Sequence, residues 1–246
     1  MQRLINVSKN FALFILFLST FLFAFSDRIV LPVWLQVAGR LHPLILHLPI
    51  GIIVLTGILV LLRSQFEAEQ FKKLITYSLL ITALTASITV LFGLLLSLNG
   101  DYTADSLQQH KISGLIIGWL SYFALVLYQS SFDLKILKHS IILGLFLLLI
   151  LVGHTGAVLT HGENFVFEPL QDSEPVPDKE NTPLYELAVM PVLEKKCFAC
   201  HNESKAKGKL IMASVDKFKQ GGENGLAFIS GNPDSSRMIQ YIHLYK

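Results

Sequence analysis

The sequence predicts an all-α membrane protein: a four- or five-helix transmembrane bundle followed by a small α-helical domain outside the bilayer. Three observations carry that expectation. Of 246 residues, 52% are hydrophobic and only 15% charged, and the mean hydropathy is +0.54, a balance foreign to ordinary water-soluble domains. Apolar segments near the roughly 20 residues that a bilayer core demands follow one another from the N-terminus, and none shows the charged stripe of a soluble amphipathic helix. Charged residues gather instead beyond a proline- and acid-rich stretch late in the chain. A net charge of +2, with no basic tract and no aromatic-studded sheet pattern, argues against a nucleic-acid partner.

Residues 1–26 begin with Arg3 and Lys9, continue through an apolar run and end in Ala24-Phe25-Ser26. They read as an N-terminal signal anchor or a signal peptide, which differ mainly in whether a peptidase cuts. The run is long for a signal peptide, and Phe25 fits a small-x-small cleavage site poorly, so the anchor is favoured. Residues 27–162 hold the bundle, with further apolar segments at 43–62, 74–98, 112–128 and 141–159. Short polar connections make neighbouring helices antiparallel. Recurring small residues, among them Gly51, Gly57, Ala83, Ala86, Gly93 and Gly118, read as close helix packing in lipid. Trp34, Trp119, Tyr122 and Tyr128 read as interfacial anchors or packing groups. With the N-terminus inside, inner segments hold seven basic residues (Arg3, Lys9, Arg63, Lys72, Lys73, Lys135, Lys138) and outer segments three (Arg28, Arg40, Lys111). The bias places the exit of the last span outside.

Eight histidines are unevenly placed. His42, His47, His110, His154 and His161 all fall at the outer end of the bundle, and His139 at the inner. Helical rise puts His47 and His154 at similar depth, so that they face one another, with His42, His110 and His161 nearer the water. Three readings stand side by side: a non-covalent haem b between paired imidazoles, with the shallower histidines beside it; a metal or quinone headgroup site; or interfacial histidines that bond backbone groups freed by Pro43, Pro49 and the glycines. The run H-P-x-x-x-H-x-P-I-G (His42, Pro43, His47, Pro49, Ile50, Gly51) and the closing G-H-x-G-x-x-L-T-H-G at 153–162 resemble a four-helix bacterial membrane domain of unknown function. The resemblance covers about residues 35–164 and implies architecture, not activity.

Residues 163–182 form an acidic, proline-rich linker, expected to be exposed and semi-extended. A domain follows at 183–246, opening with a helix start at Thr182-Pro183 and apolar Tyr185, Ala188, Val189, Val192 and Leu193 at helical spacing; Pro191 should bend or end its first part. That helix leads into Cys197-Phe198-Ala199-Cys200-His201. Two thiols two residues apart, with histidine after the second, read as a c-type haem attachment site: each thiol adds across a porphyrin vinyl group, and the imidazole of His201 becomes the proximal iron ligand. A zinc site would need ligands that no further cysteine supplies, and a redox dithiol normally sits in a βαβ setting. The bond is made on the outer side of the bacterial inner membrane, in agreement with the charge bias. The domain is therefore expected to be periplasmic, with the N-terminus cytoplasmic if uncleaved.

After the motif come Gly208-Lys209-Leu210, then Gly221-Gly222-Glu223-Asn224-Gly225, then Ser230-Gly231-Asn232-Pro233-Asp234-Ser235-Ser236. Residues 184–246 resemble the planctomycete-type cytochrome c domain, in which C-x-x-C-H precedes a G-x-L turn, a G-G-x-x-G loop and a P-G-x-P-x-x-S segment. Ser230 stands where that family has proline. The family's later Met-Pro-Pro segment, which supplies a sixth iron ligand, is not in this sequence, so the domain is expected to be incomplete at its C-terminus. Met212, Met238 and His243 are the ligand candidates present. From residue 186 onward nine basic groups face six acidic ones, which suggests docking of an acidic redox partner or an ordinary solvated face.

The sequence thus reads as a membrane-anchored c-type cytochrome that carries single electrons, taken from quinol by way of a bundle-bound haem. It is more an electron carrier or a subunit of a larger redox complex than a stand-alone enzyme, since no hydrolytic or group-transfer constellation is visible. The alternative is a membrane-tethered haem sensor or scaffold without electron-transfer turnover. A transporter is disfavoured by the lack of mid-span charges and of an inverted repeat.

Overall fold

The computed structural model describes residues 2–98, 104–130, 132, 134–161, 166–167, 170, 182–198, 200–203 and 205–244. Among them the chain is helical and without strands; two isolated bridges, His201 with Ala206 and Gly222 with Gly225, are the extended pairings. The helices are α1 (Gln2–Ala24), α2 (Val33–Arg40), α3 (His42–Ile45), α4 (His47–Leu61), α5 (Ala68–Ser97), α6 (Ala104–Gln129), α7 (Lys135–His161), α8 (Met190–Lys196), α9 (Val215–Gln220) and α10 (Arg237–Leu244), with a π turn at Tyr185–Val189 before α8. The chain divides into two units: Met1–Gly100 with Gln108–His154, and Asp101–Leu107 with Thr155–Lys246. The linker stretch lies outside the described residues apart from 166–167, 170 and 182.

Five segments of the first unit and its helix extensions are long and apolar enough to cross a bilayer: Arg3–Ala24, Val33–Leu61, Ala68–Ser97, Ser106–Gln129 and Lys135–His161. Helix α5 is the hub. Phe71, Ile75, Leu79, Ala83, Ser87, Val90 and Leu94 recur at three- and four-residue steps and are buried, so one face of a regular helix meets its neighbours. Ile53 of α4, Ile117, Ala124, Leu125 and Tyr128 of α6, and Ile142 and Leu145 of α7 join Ile75 and Leu79 in one core. Three hydroxyls inside this apolar environment bond back along their own helices: Thr56 to the Ile52 carbonyl at 2.7 Å, Thr82 to Ser78 at 2.9 Å and Ser121 to Ile117 at 2.7 Å. In hydrocarbon, where no water can serve, that local bond is the available remedy for a hydroxyl.

The second span departs from the expected 43–62. It begins at Val33 and is assembled from α2, α3 and α4. The reason lies in the prolines. Pro43 and Pro49 lack amide donors and sit in the first turns of α3 and α4, where the missing bond costs least, so the hydrogen-bond ladder is interrupted around Leu41 and Leu46 while both keep right-handed helical backbone. Helix α2 lies on α5 backbone to backbone: a Cβ at Gly39 would stand 2.7 Å from the Leu96 amide nitrogen.

Helix α1 is built into the bundle. Ala12, Leu16 and Ser19 are fully buried, Leu16 packs with Tyr122, and a Cβ at Gly118 would come within 2.9 Å of the Leu16 Cδ2. Trp119 meets Phe17 edge to face at 5.2 Å and donates its indole N–H to the Thr20 hydroxyl at 3.1 Å. This packing predicts that α1 stays in the mature protein, so tryptic peptides from residues 10–28 should be recovered from purified membranes. Leu16→Ala should destabilise the bundle by about 2 kcal/mol or more in detergent denaturation, while Phe14→Ala, at an exposed position, should leave it nearly unchanged.

Candidate functional site

In the second unit the motif is held at the end of α8. The Cys197 and Phe198 amides both donate to the Leu193 carbonyl, at 2.8 and 3.0 Å, and the Cys200 and His201 amides both return to the Cys197 carbonyl at 3.0 Å. One tight turn thus carries both sulfurs and the imidazole. Asn202, buried, clamps it: Nδ2 donates to the Phe198 carbonyl at 2.9 Å and Oδ1 accepts the Lys205 amide at 2.6 Å.

His201 is oriented by a backbone bond. Its Nδ1 lies 3.1 Å from the Leu210 carbonyl, and a carbonyl can only accept, so Nδ1 carries the proton and Nε2 keeps its lone pair for a metal. The carbonyl is positioned by the turn the sequence marked. Gly208 and Lys209 both adopt left-handed φ, +63° and +56°, which glycine takes at no steric cost. The glycine loop supports that turn: the Glu223 amide donates to the Gly208 carbonyl at 2.8 Å, and a Cβ at Gly222 would fall 2.5 Å from the same oxygen. The Met212 amide closes the circuit on the His201 carbonyl at 2.8 Å. The last motif segment folds on Ser236, whose hydroxyl accepts the Ile229 amide at 2.9 Å and donates to the Asn232 carbonyl at 2.8 Å.

Around the motif lies a small apolar cluster of Leu193, Met212, Phe218 and Ala227, with Tyr185, Cys197, Phe198 and Met238 against it. Burial, and secondarily the neighbouring Cys200, pushes the Cys197 thiol above its ordinary range. Burial likewise raises the Tyr185 hydroxyl, whose oxygen is enclosed without a hydrogen-bond partner among the described residues. These features fit a covalently held haem: two free thiols, an imidazole with Nε2 uncommitted, and a buried hydroxyl awaiting an acceptor. Of the sixth-ligand candidates, Met212 is buried within the cluster and Met238 packs on it; the side chain of His243 lies outside the described residues. No three His, Cys, Asp or Glu side chains converge on a metal position among the described residues, so the zinc reading gains no ligand set there.

Among the described histidine rings of the bundle, the pair in contact is His42 with His110, centroids 6.4 Å apart and nearly perpendicular. His42 is half-buried, with Nδ1 2.9 Å from the Thr89 carbonyl of α5 and its ring laid on Gly93, where a Cβ would come within 2.9 Å. His110 bonds to the backbone of Val152 on α7. His47 and His154, the expected facing pair, are both exposed; Nδ1 of His47 is 3.3 Å from the Leu44 carbonyl of its own segment. His161, in the second unit, is exposed with Nδ1 2.7 Å from the Thr160 hydroxyl. Helical rise fixes depth but not direction: His42 and His47 are five residues apart, about 140° around a helix, so with His42 turned to Thr89 of α5 His47 falls on the far side and is exposed.

The family model described as Planctomycete cytochrome C matches residues 197–244, from the first cysteine of the motif into α10. No curated protein and no solved structure matches the chain. The match implies haem in this segment, of the covalent c type given Cys197 and Cys200, and haem-based electron transfer is the coarse function that follows.

Two outcomes test the geometry. Asn202→Ala leaves the Phe198 carbonyl and the Lys205 amide unsatisfied and should lower the stability of the C-terminal unit by about 1–3 kcal/mol in denaturant titration. In the bundle, Gly93→Ala should displace the His42 ring from Thr89 and lower the detergent melting temperature, whereas Gly57→Ala, where an added Cβ meets nothing within 4 Å, should not.

Proposed function

We propose that this chain is a membrane-anchored c-type cytochrome of the bacterial inner membrane, carrying single electrons on the periplasmic face. The observation that carries the reading is His201: it follows the thiol pair, and its Nδ1 is committed to the Leu210 carbonyl, which leaves Nε2 directed for iron. Bound haem supplies a one-electron iron couple whose potential the protein tunes.

The chain's residues divide the remaining work. Cys197 and Cys200 would hold the macrocycle through thioethers, each sulfur and its proton adding across a vinyl double bond. His201 would ligate, and the Leu210 carbonyl fixes its tautomer and raises its basicity. The apolar cluster of Leu193, Met212 and Phe218 keeps water from the motif's neighbourhood. Five apolar helices supply the anchor, and the excess of basic residues on inner segments supports an outward C-terminal unit. Quinol is the donor class that suits a bilayer-tethered carrier. Each quinol molecule releases two protons and gives up two electrons, in two single-electron steps, becoming quinone. These electrons need no bundle haem: the histidines brought together there are His42 and His110, both bonded to the backbone of neighbouring helices, rather than His47 and His154.

The test uses full-length protein matured in cells competent for cytochrome c assembly. Expected are haem that resists acid-acetone extraction, haem fluorescence on a denaturing gel that is lost in Cys197→Ser/Cys200→Ser, and growth of the reduced α-band when duroquinol is added to membrane vesicles. An unstained wild-type band, or a C-terminal reporter active only in the cytoplasm, would overturn the reading; an α-band indifferent to duroquinol would remove quinol as donor.

A further inference from the structure

Tyr185 is where the C-terminal unit breaks local rules. In a regular helix, Tyr185 and Leu193 are eight residues apart and point about 80° away from each other. Here the Met190 amide bonds to the Tyr185 carbonyl, five residues back, and the widened turn absorbs most of that angle. Glu186, which a regular helix would place nearer the face of Leu193 and Cys197, is exposed instead, while Tyr185 packs against the cluster that contains Leu193 and Met212. Pro191, in the first turn of α8, has no amide to close the regular ladder there, which makes the wide turn accessible. Such turns recur at functional positions.

The result is unusual chemically. The wide turn delivers a phenol whose oxygen is buried and unpartnered among the described residues, into a cluster otherwise made of carbon and sulfur. Buried tyrosine hydroxyls normally find a partner, and leaving one unmade is costly. Phenylalanine would fill the same space without that cost, so the hydroxyl calls for an acceptor that the described residues do not supply. The group that the neighbouring motif implies brings two such acceptors, its propionate carboxylates, and a hydrogen bond to a carboxylate is of the strong, charge-assisted kind.

We infer that Tyr185 donates a hydrogen bond to a haem propionate and is thereby a positioning residue that raises the iron potential. The inference rests on the haem reading above. A donor on the propionate withdraws part of its negative charge from the iron, which favours the reduced state; removing it favours the oxidised state.

The experiment compares full-length, haem-loaded wild type with Tyr185→Phe and with Tyr241→Phe, a change at an exposed position. The haem is carboxyl-labelled with carbon-13 on its propionates, and potentiometry is paired with redox-difference infrared spectra. Tyr185→Phe should shift the oxidised-to-reduced ratio at fixed ambient potential at least threefold toward oxidised, about 28 mV lower for one electron, and should move a labelled carboxylate band; Tyr241→Phe should do neither. A Tyr185→Phe protein with covalent haem but unchanged potential and bands overturns this inference alone. Absence of covalent haem in the wild type overturns the functional reading beneath it. A potential shift without a band shift assigns Tyr185 to packing and also overturns the inference.

Discussion

The bond from His201 Nδ1 to the Leu210 carbonyl is the constraint on which the C-terminal unit depends. It decides which ring nitrogen holds a proton, and so which one can ligate. It also ties the motif to a segment nine residues later, and that segment exists in its observed shape only because Gly208 and Lys209 accept left-handed backbone. Behind it stand the Glu223 amide on the Gly208 carbonyl and the close approach of Gly222. The three sequence signatures after the cysteines are therefore one mechanical chain: the glycine loop braces the turn, the turn presents a carbonyl, and the carbonyl aims an imidazole. A side chain at Gly222 would act on the His201 imidazole through the Gly208 turn and the Leu210 carbonyl.

The bundle solves a different problem with the same economy of partners. In hydrocarbon every polar group must be satisfied internally, and α5 shows how: its threonines bond back to their own helix, and one of its carbonyls, Thr89, takes a second bond from His42. With His110 bonded to Val152, the two imidazoles link α3 to α5 and α6 to α7. Ionisable side chains at such positions are functional by default, yet these bonds give both rings a structural task whatever else they do. Gly93 makes the arrangement possible by leaving room for a ring where other residues would place a methyl group.

Much of this was legible in the sequence, for reasons that differ by level. The five spans could be read because bilayer thickness imposes length and apolarity directly on composition. The haem motif could be read because covalent chemistry fixes residue type and spacing. The histidine pairing could not: 1.5 Å per residue gives depth but not which face meets a neighbour, and His42 and His47, five residues or about 140° apart, cannot both turn to α5, which receives His42 and leaves His47 exposed. The face of the helix before the motif differs from the expected one as well. Tyr185 and Leu193 meet the cluster while Ala188, Val189 and Val192 are exposed, since the extra residue in the π turn shifts the positions before Met190 against Leu193. Proline marked the place of the irregularity without revealing its sense.

The small size of the apolar cluster joins these threads. Among the described residues of the C-terminal unit beyond the linker, Leu193, Met212, Phe218 and Ala227 are the buried hydrophobic side chains, far fewer than a domain of this length needs against the entropy of ordering its backbone. Polar clamps do much of the holding, at Asn202, Ser236 and the Leu210 carbonyl, and net stabilisation from each such bond is modest. Small domains in that position are usually stapled by a disulfide or a prosthetic group. Here the two cysteines are free thiols at the spacing of a haem tether, and the apolar residues border the motif. The macrocycle that the motif implies would supply the missing hydrophobic volume and an acceptor for Tyr185, so the group that would give this unit its chemistry would also complete its core.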